Sequence, residues 1–189
     1  MKILIVDNYD SFTFNLVHYF EGFDCEVIVW RNDAINFNEL DGFDKIVLSP
    51  GPGLPYESNH LMKLIKEGVG QKPILGVCLG FQALVEHFGG TIYNQNIVKH
   101  GLSEVATFNS SSKLFKGISP QFKIGLYHSW AAKEINFPPE LLITGKSENN
   151  IIMSFEHASL AIAGVQFHPE SILTENGHKI IENFLNNFN

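Results

Sequence analysis

Cysteines, long apolar runs and basic residues are all scarce in this sequence. Its 189 residues include two cysteines, Cys25 and Cys78, which are too few for a disulfide framework or a cysteine-rich zinc site. The 13 lysines and arginines stand against 20 aspartates and glutamates, and the formal net charge of -7 argues against nucleic acid or an anionic membrane as a main partner. No apolar run reaches membrane-spanning length, and the apolar start at residues 1–7 is too short for a signal peptide. We therefore expect a cytoplasmic protein.

The overall composition is typical of a globular domain. With 44% hydrophobic and 17% charged residues, the chain can bury a full core, and we expect one domain over residues 1–189. The first half alternates apolar runs with helical patterns. Strands are predicted at 2–7, 25–31, 45–49 and 73–75, and helices after a cap at Asp10 or Ser11, at 59–68 and at 81–88. This alternation predicts an α/β fold with a doubly wound, mostly parallel sheet and helices on both faces.

The second half has a different pattern, because short strand-like segments dominate from Gly89 onward. These segments are residues 91–93, 104–108, 122–127, 141–144, 151–155 and 160–167, and a last helix is predicted at 177–188. They predict a small antiparallel addition to the parallel sheet. In doubly wound sheets, ligands bind beyond the carboxyl ends of the strands, so residues that directly follow a strand are the candidates for a site.

The segment Gly76-Val77-Cys78-Leu79-Gly80 carries the first candidate. An apolar run, two glycines around one reactive side chain and then a helical pattern predict a strand, a tight turn and a helix, with Cys78 on the turn. Side chains at positions 76 and 80 would collide with such a turn. The helix N-terminus favours a thiolate, and the N–H of Leu79 could stabilise an oxyanion. The alternative is a buried, inert cysteine, as we expect for Cys25.

A base for this nucleophile is found at the end of the last predicted strand. His168 follows that strand, and Glu170 can hydrogen-bond the far ring nitrogen and fix its tautomer. Nucleophile, base and orienting carboxylate are thus expected at one edge of the sheet. Of the 8 histidines, the other seven show no metal-ligand spacing, and no metal site is predicted.

Two further segments follow predicted strands and could hold a polar ligand. In residues 49–55, which read Ser-Pro-Gly-Pro-Gly-Leu-Pro, the glycines could bring backbone N–H groups to a ligand, with Gly53 as a second oxyanion donor. A rigid surface turn is the alternative. Tyr56 excludes a dinucleotide-binding pattern because it stands where the third glycine is needed. Residues 128–130 offer a hydroxyl and backbone groups, or are simply a strand end.

Together these residues resemble the class I, triad-type glutamine amidotransferases, from the first strand to the last helix. Several members share Gly-x-Cys-x-Gly-x-Gln, found here at 76–82, and His-x-Glu, found here at 168–170. The segments 7–13, 49–55 and 127–129 resemble the branch that forms component II of anthranilate synthase and of 4-amino-4-deoxychorismate synthase, on the routes to tryptophan and folate. The motifs are specific for the family and do not separate these two synthases.

The resemblance implies a glutaminase. Cys78 would attack the side-chain amide of glutamine and form a γ-glutamyl thioester, His168 would carry the proton to ammonia, and Glu170 would orient His168. The implied glutamine-binding residues are Gly51, Pro52, Gly53, Leu79, Gln82, Ser129 and Trp130. Ammonia would pass to a chorismate-binding synthase subunit, which carries the magnesium, and no cofactor is expected on this chain.

Two positions depart from the family pattern, and two other functions stay open. Phe81 stands where the family often has His, and Trp130 stands where it often has Leu. A stand-alone thiol hydrolase or peptidase on a similar sheet would suit the turn at Cys78 equally well. A flavodoxin-like binding module with an inert Cys78 is the other alternative, but residues 8–11 lack glycine and offer no phosphate cradle.

Overall fold

The computed structural model describes residues 1–96 and 100–189, which form a nine-stranded sheet, a two-stranded sheet and covering helices. Its strands are β1 (Lys2–Asp7), β2 (Glu26–Arg31), β3 (Lys45–Leu48), β4 (Ile74–Val77), β5 (Ile92–Asn94), β6 (Leu102–Phe108), β7 (Gln121–Leu126), β8 (Trp130–Ala132), β9 (Leu141–Ser147), β10 (Ile152–His157) and β11 (Ile162–Val165). Its α-helices are α1 (Thr13–Glu21), α2 (Leu61–Gly68), α3 (Leu79–His87) and α4 (Gly177–Asn187). Two 3₁₀ helices, Phe37–Gly42 and Pro55–Glu57, follow β2 and β3. None of the described helices has the length and apolar character needed to cross a membrane.

The large sheet has a parallel half and an antiparallel half. Its strand order is β2-β1-β3-β4-β11-β10-β9-β6-β7, and every neighbouring pair from β2 to β11 is parallel. From β11 to β7 the neighbours are antiparallel, and β5 pairs with β8 in the separate two-stranded sheet. The predicted α/β sheet is confirmed, and its antiparallel addition mostly extends the same sheet.

Strand β1 shows why helices cover both faces. Ile3 and Ile5 are buried in one core with residues of α1 and α4, whereas Leu4 and Val6 are buried in a second core with residues of α2 and α3. Successive side chains of a strand point to opposite faces, so a strand that is apolar throughout needs cover on both. The predicted helix layers on the two faces are therefore confirmed.

Two local predictions were wrong, and one short strand was missed. Neither Asp10 nor Ser11 caps α1, because the N-cap residue is Phe12, and Asp10 instead accepts a hydrogen bond from the N–H of Phe12 at 2.8 Å. The carboxylate of Asp10 therefore stabilises the turn that precedes the helix. Helix α2 begins at Leu61 rather than at residue 59, since Asn59 has a φ of 47° and cannot be helical. Strand β8 was missed because its 3 residues carry too short a pattern.

The carboxyl ends of the parallel strands meet at one edge of the sheet. Strands β1, β3, β4 and β11 are neighbours that run in the same direction, and β7 also ends at this edge because four antiparallel steps separate it from β11. The residues that directly follow these five strands are Asn8, Ser49, Cys78, Gln166 and Tyr127. Distant parts of the sequence are thereby brought to the edge where a ligand site was expected.

Candidate active site

Cys78 occupies a strained turn between β4 and α3. Its φ and ψ angles are 53° and -100°, a combination that residues other than glycine rarely adopt. The N–H of Cys78 donates to the carbonyl of Val165 at 2.9 Å, so β11 holds the strained residue in place. Because Cys78 is the N-cap residue of α3, its sulfur lies at the positive end of the helix. The predicted strand, turn and helix are confirmed.

The glycines on either side of Cys78 are required by close backbone contacts. A Cβ atom at Gly76 would lie 2.5 Å from the carbonyl oxygen of Gly80, and one at Gly80 would lie 2.5 Å from the carbonyl oxygen of Leu48. Real Cβ atoms do not approach backbone oxygens so closely. The spacing of the two glycines around Cys78 therefore has the steric cause that the sequence indicated.

His168 and Glu170 form a buried pair beside this turn. Nδ1 of His168 lies 2.8 Å from Oε1 of Glu170, and the two side chains are 3% and 0% exposed. A carboxylate only accepts hydrogen bonds, so Nδ1 carries a proton and Nε2 is the nitrogen that remains for proton transfer. Within residues 1–96 and 100–189, Nε2 has no hydrogen-bond partner.

The backbone and the ring of His168 are both held. Its N–H donates to the carbonyl of Gly125 at 3.2 Å, and the hydroxyl of Thr174 donates to its carbonyl at 2.6 Å. The rings of Phe12 and Tyr127 lie edge-to-face with the imidazole, at centroid distances of 5.1 and 4.8 Å. These contacts leave the imidazole little freedom to turn away.

Cys78 and Glu170 act together on the pKa of His168. Burial by itself lowers this pKa, because the charged imidazolium loses hydration. Interactions with the Cys78 sulfur, followed by the hydrogen bond and charge of Glu170, outweigh burial and hold the pKa of His168 well above its usual range. Sulfur and imidazole are thus within interaction distance, although the geometry of Nε2 falls short of a hydrogen bond. A thiolate beside an imidazolium is an activated nucleophile.

Two buried amides connect the sulfur to the predicted glutamine-binding residues. Nε2 of Gln82 lies 2.9 Å from the carbonyl oxygen of Trp130 and 3.2 Å from Oε1 of Gln166. Nε2 of Gln166 lies 3.8 Å from Sγ of Cys78. Gln82 and Trp130 were predicted at the site, and Gln166 was missed. Its position directly after the strand that leads to His168 was the available signal.

The segment 50–53 approaches the turn at Cys78 through Gly51. A Cβ atom at Gly51 would lie 2.6 Å from Cβ of Asn8 and 2.6 Å from Cδ2 of Leu79, so this glycine packs directly on the first residue of α3. Pro52 and Gly53 are exposed, and Gly53 has a φ of 75°. The segment is thus more than a surface turn, because Gly51 contacts the helix that begins directly after Cys78.

The remaining predicted residues, Ser129 and Trp130, are the last residue of the connection from β7 and the first residue of β8. Ser129 and Trp130 are half-buried, and the carbonyl of Ser129 accepts a hydrogen bond from the N–H of Gln95 at 2.8 Å. The carbonyl of Trp130 accepts a hydrogen bond from Nε2 of Gln82. The start of β8 is therefore linked to α3 through a backbone carbonyl.

Residues 4–188 match the family described as glutamine amidotransferase class-I. The chain belongs to this family. Aminodeoxychorismate synthase component 2 of Escherichia coli K12 is 42% identical over 185 residues, which cover 97% of this chain and 98% of the relative. Anthranilate synthase component 2 of Azospirillum brasilense is 42% identical over 187 residues, which cover 97% and 95% of the two chains. The crystal structure of a Thermoplasma acidophilum protein superimposes with a TM-score of 0.87 at 28% identity, and covers 98% of this chain and 92% of that chain.

In this class-I amidotransferase, the two departures from the family pattern have different surroundings. Phe81 is fully buried, and its ring centroid lies 5.2 Å from that of Phe155, within the core that also contains α2. Trp130 is half-buried, and its carbonyl accepts a hydrogen bond from Gln82. Phe81 is therefore a core residue, whereas Trp130 contacts Gln82 through its backbone carbonyl.

The second cysteine lies at the other end of the sheet. Cys25 directly precedes β2, at the amino ends of the parallel strands, and burial raises the pKa of its thiol. A thiol of this kind is a poor nucleophile at neutral pH. Among the side chains that the structure describes, no three His, Cys, Asp or Glu residues are grouped so that they could hold a metal ion.

Proposed function

We propose that this chain is the glutaminase subunit of a synthase that aminates chorismate. The observation that carries the proposal is the buried His168, which binds Glu170 through one ring nitrogen and has its pKa raised by Cys78. Because the chain belongs to the class-I glutamine amidotransferases, the group that the thiol would attack is the side-chain amide of glutamine. Two relatives that cover nearly the whole chain are named as second components of synthases, which supports a subunit role.

The proposed reaction has two covalent steps. Sγ of Cys78 attacks the side-chain amide carbon of glutamine, the carbon–nitrogen bond breaks, and Nε2 of His168 delivers the proton with which ammonia leaves. A water molecule then loses a proton to Nε2 and attacks the thioester carbon, the carbon–sulfur bond breaks, and glutamate leaves. Glu170 keeps the proton on Nδ1 throughout, which leaves Nε2 free for both transfers.

We propose that glutamine binds between the segment at 51–53, the start of α3 and the β7–β8 connection. The N–H groups of Leu79 and Gly53 would stabilise the oxyanion that forms on the amide oxygen. Gln82 would contact the amino acid part of the substrate from α3. The residues proposed to line the pocket are Gly51, Pro52, Gly53, Leu79, Gln82, Ser129 and Trp130.

We further propose that ammonia passes to a synthase subunit that binds chorismate. That partner would carry the magnesium ion of the reaction, and this chain would need no cofactor of its own. The aminated product would be anthranilate, 4-amino-4-deoxychorismate, or both through one shared subunit. A cytoplasmic location remains a prediction from the sequence.

The test of the glutaminase role is Cys78→Ser, assayed together with the synthase partner. We expect glutamine-dependent synthesis to vanish, while synthesis from added ammonia survives because the partner active site is intact. Cys25→Ser is the matched control and should keep both activities. Retention of glutamine-dependent synthesis by Cys78→Ser, or turnover of peptides by the isolated chain without glutaminase activity, would reject the proposal.

The choice of product is tested by supplying each synthase subunit in turn. The chain is mixed with an anthranilate synthase subunit or with an aminodeoxychorismate synthase subunit, with chorismate and ¹⁵N-amide glutamine. Transfer of the label into an aromatic amine identifies the partner. If neither subunit yields labelled product while ammonia does support both, the proposed partner class is wrong.

A further inference from the structure

We propose that Gln166 is the side-chain donor that holds and stabilises the Cys78 thiolate, an inference that rests on the proposed function. Gln166 directly follows β11 and is fully buried, and its Nε2 lies 3.8 Å from Sγ of Cys78. Its N–H donates to the carbonyl of Met153 at 2.8 Å, so its backbone is fixed by β10. Its neighbour Val165 binds the N–H of Cys78, so adjacent residues hold both the backbone and the sulfur of the nucleophile.

The orientation of both amides follows from the carbonyl of Trp130. A carbonyl oxygen only accepts, so the end of Gln82 that lies 2.9 Å from it must be the NH₂ group. The same NH₂ group lies 3.2 Å from the side chain of Gln166, which must therefore present its oxygen there. The NH₂ group of Gln166 is then the end that faces the sulfur of Cys78. Donors and acceptors therefore match from Trp130 through both amides to the sulfur, which accepts the last hydrogen bond, and a thiolate accepts it more strongly than a thiol.

Gln166 is a polar side chain that is fully buried. An amide taken out of water costs free energy unless both of its ends are hydrogen-bonded, and an apolar side chain would fill the same space more favourably. Its oxygen is satisfied by Gln82, and its NH₂ group faces Cys78. A hydrogen bond to a charged acceptor in a buried site is stronger than one between neutral groups. A thiolate at Cys78 would therefore offset the cost of burying this amide better than a neutral thiol would.

Two consequences follow for the cleft. The sulfur of Cys78 would be stabilised by two side chains, the charged imidazolium of His168 and the neutral NH₂ group of Gln166. Gln166 also links the sulfur to Gln82, which we propose as a glutamine-binding residue, and so fixes the nucleophile relative to the substrate pocket. Gln166 touches the reacting atom without exchanging a proton with it.

The test measures the alkylation of Cys78 by iodoacetamide as a function of pH, on the full chain without glutamine or a synthase. Gln166→Met removes the donor at similar size, and we expect the alkylation rate at neutral pH to fall about tenfold. Gln166→Glu puts a negative charge beside the sulfur, and we expect a larger loss and a pH profile moved to higher pH. Gln121→Glu makes the same change on the exposed start of β7 and should match the wild type.

Alkylation of both Gln166 variants within twofold of the wild type, with an unchanged pH profile, would overturn the inference. Circular dichroism checks that each variant is folded. If neither folds, the side-chain NH₂ resonances of ¹⁵N-labelled wild type replace them: the Gln166 signal should titrate with the sulfur and lose this dependence in Cys78→Ser, and a signal that does not titrate overturns the inference. A Cys78→Ser chain that retains glutaminase activity rejects the proposed function instead.

Discussion

Asn8 binds Ser49 twice: its Nδ2 donates to the Ser49 carbonyl at 2.9 Å, and its N–H donates to the Ser49 hydroxyl at 2.9 Å. Asn32 donates to Oδ1 of Asn8 at 3.0 Å, and Asn59 donates to Asn32 at 2.7 Å. A chain of amides thus joins the ends of β1 and β2 to the segment that follows β3. Because Gly51 packs directly on Asn8, this chain fixes the segment that we propose to bind glutamine.

We expect Asn8→Ala to lower the free energy of unfolding by about 1–3 kcal/mol, because buried groups of Ser49 and Asn32 lose their partners. The KM for glutamine should rise more than kcat falls, since the reacting groups lie on other strands. Urea unfolding and steady-state kinetics measure the two effects. Asn38→Ala, at an exposed position, is the control. Identical kinetics for both variants would show that the amide chain does not support the pocket.

Gly80→Ala should disrupt the turn at Cys78. The new Cβ would lie 2.5 Å from a backbone oxygen of Leu48, so either β3 or α3 must move, and we expect a loss of about 3 kcal/mol in the free energy of unfolding. Glutaminase activity should fall even where the variant folds, because the sulfur is displaced. Gly42→Ala is the matched control, since a Cβ there meets no atom within 4 Å. Equal thermal stability of the two variants would contradict the steric explanation.

The parts of the site that could be predicted are those with a local cause. Gly76 and Gly80 belong to the same turn as Cys78, and their clashes arise within a few residues or with an adjacent strand. His168 and Glu170 are two residues apart, so their hydrogen bond is also a local feature. The strand pattern also predicted that Cys78 and His168 follow parallel strands. Such strands end at the same edge of the sheet, so the two residues could be expected near each other.

The parts that could not be predicted depend on packing between distant segments. Gln166 contacts a residue 88 positions away, and nothing in the local pattern indicates which way a buried amide will face. The rings of Phe12 and Tyr127 meet His168 only because β1 and β7 end at the same edge as β11. Likewise, the bond between Asp10 and Phe12 competes with helix capping, and propensity alone does not say which one forms.

The pKa of His168 should fall in Cys78→Ser and also in Glu170→Gln, because interactions with the sulfur and with the carboxylate both raise it. An NMR titration of the imidazole measures both shifts, and Cys25→Ser should leave the value unchanged. In the wild type the pKa of folded His168 is raised above the unfolded value of about 6.5. Its contribution to stability is therefore complete below about pH 6.5 and is lost as the pH rises through the raised folded value. An unchanged pKa of His168 in both variants would show that neither the sulfur nor the carboxylate raises it.

Glu170→Gln should lower kcat for glutamine by a factor on the order of 10² to 10⁴, with a smaller change in KM. A glutamine at this position presents either its oxygen or its NH₂ group to Nδ1 of His168. With the oxygen, the negative charge that stabilises the imidazolium is gone, and with the NH₂ group the proton is forced onto Nε2, where it blocks base catalysis. Single-turnover formation of the thioester separates this effect from product release. Glu67→Gln, on the exposed end of α2, is the control and should keep full activity. A kcat for Glu170→Gln close to that of the wild type would remove Glu170 from the proposed mechanism, because His168 would then keep its tautomer without a carboxylate.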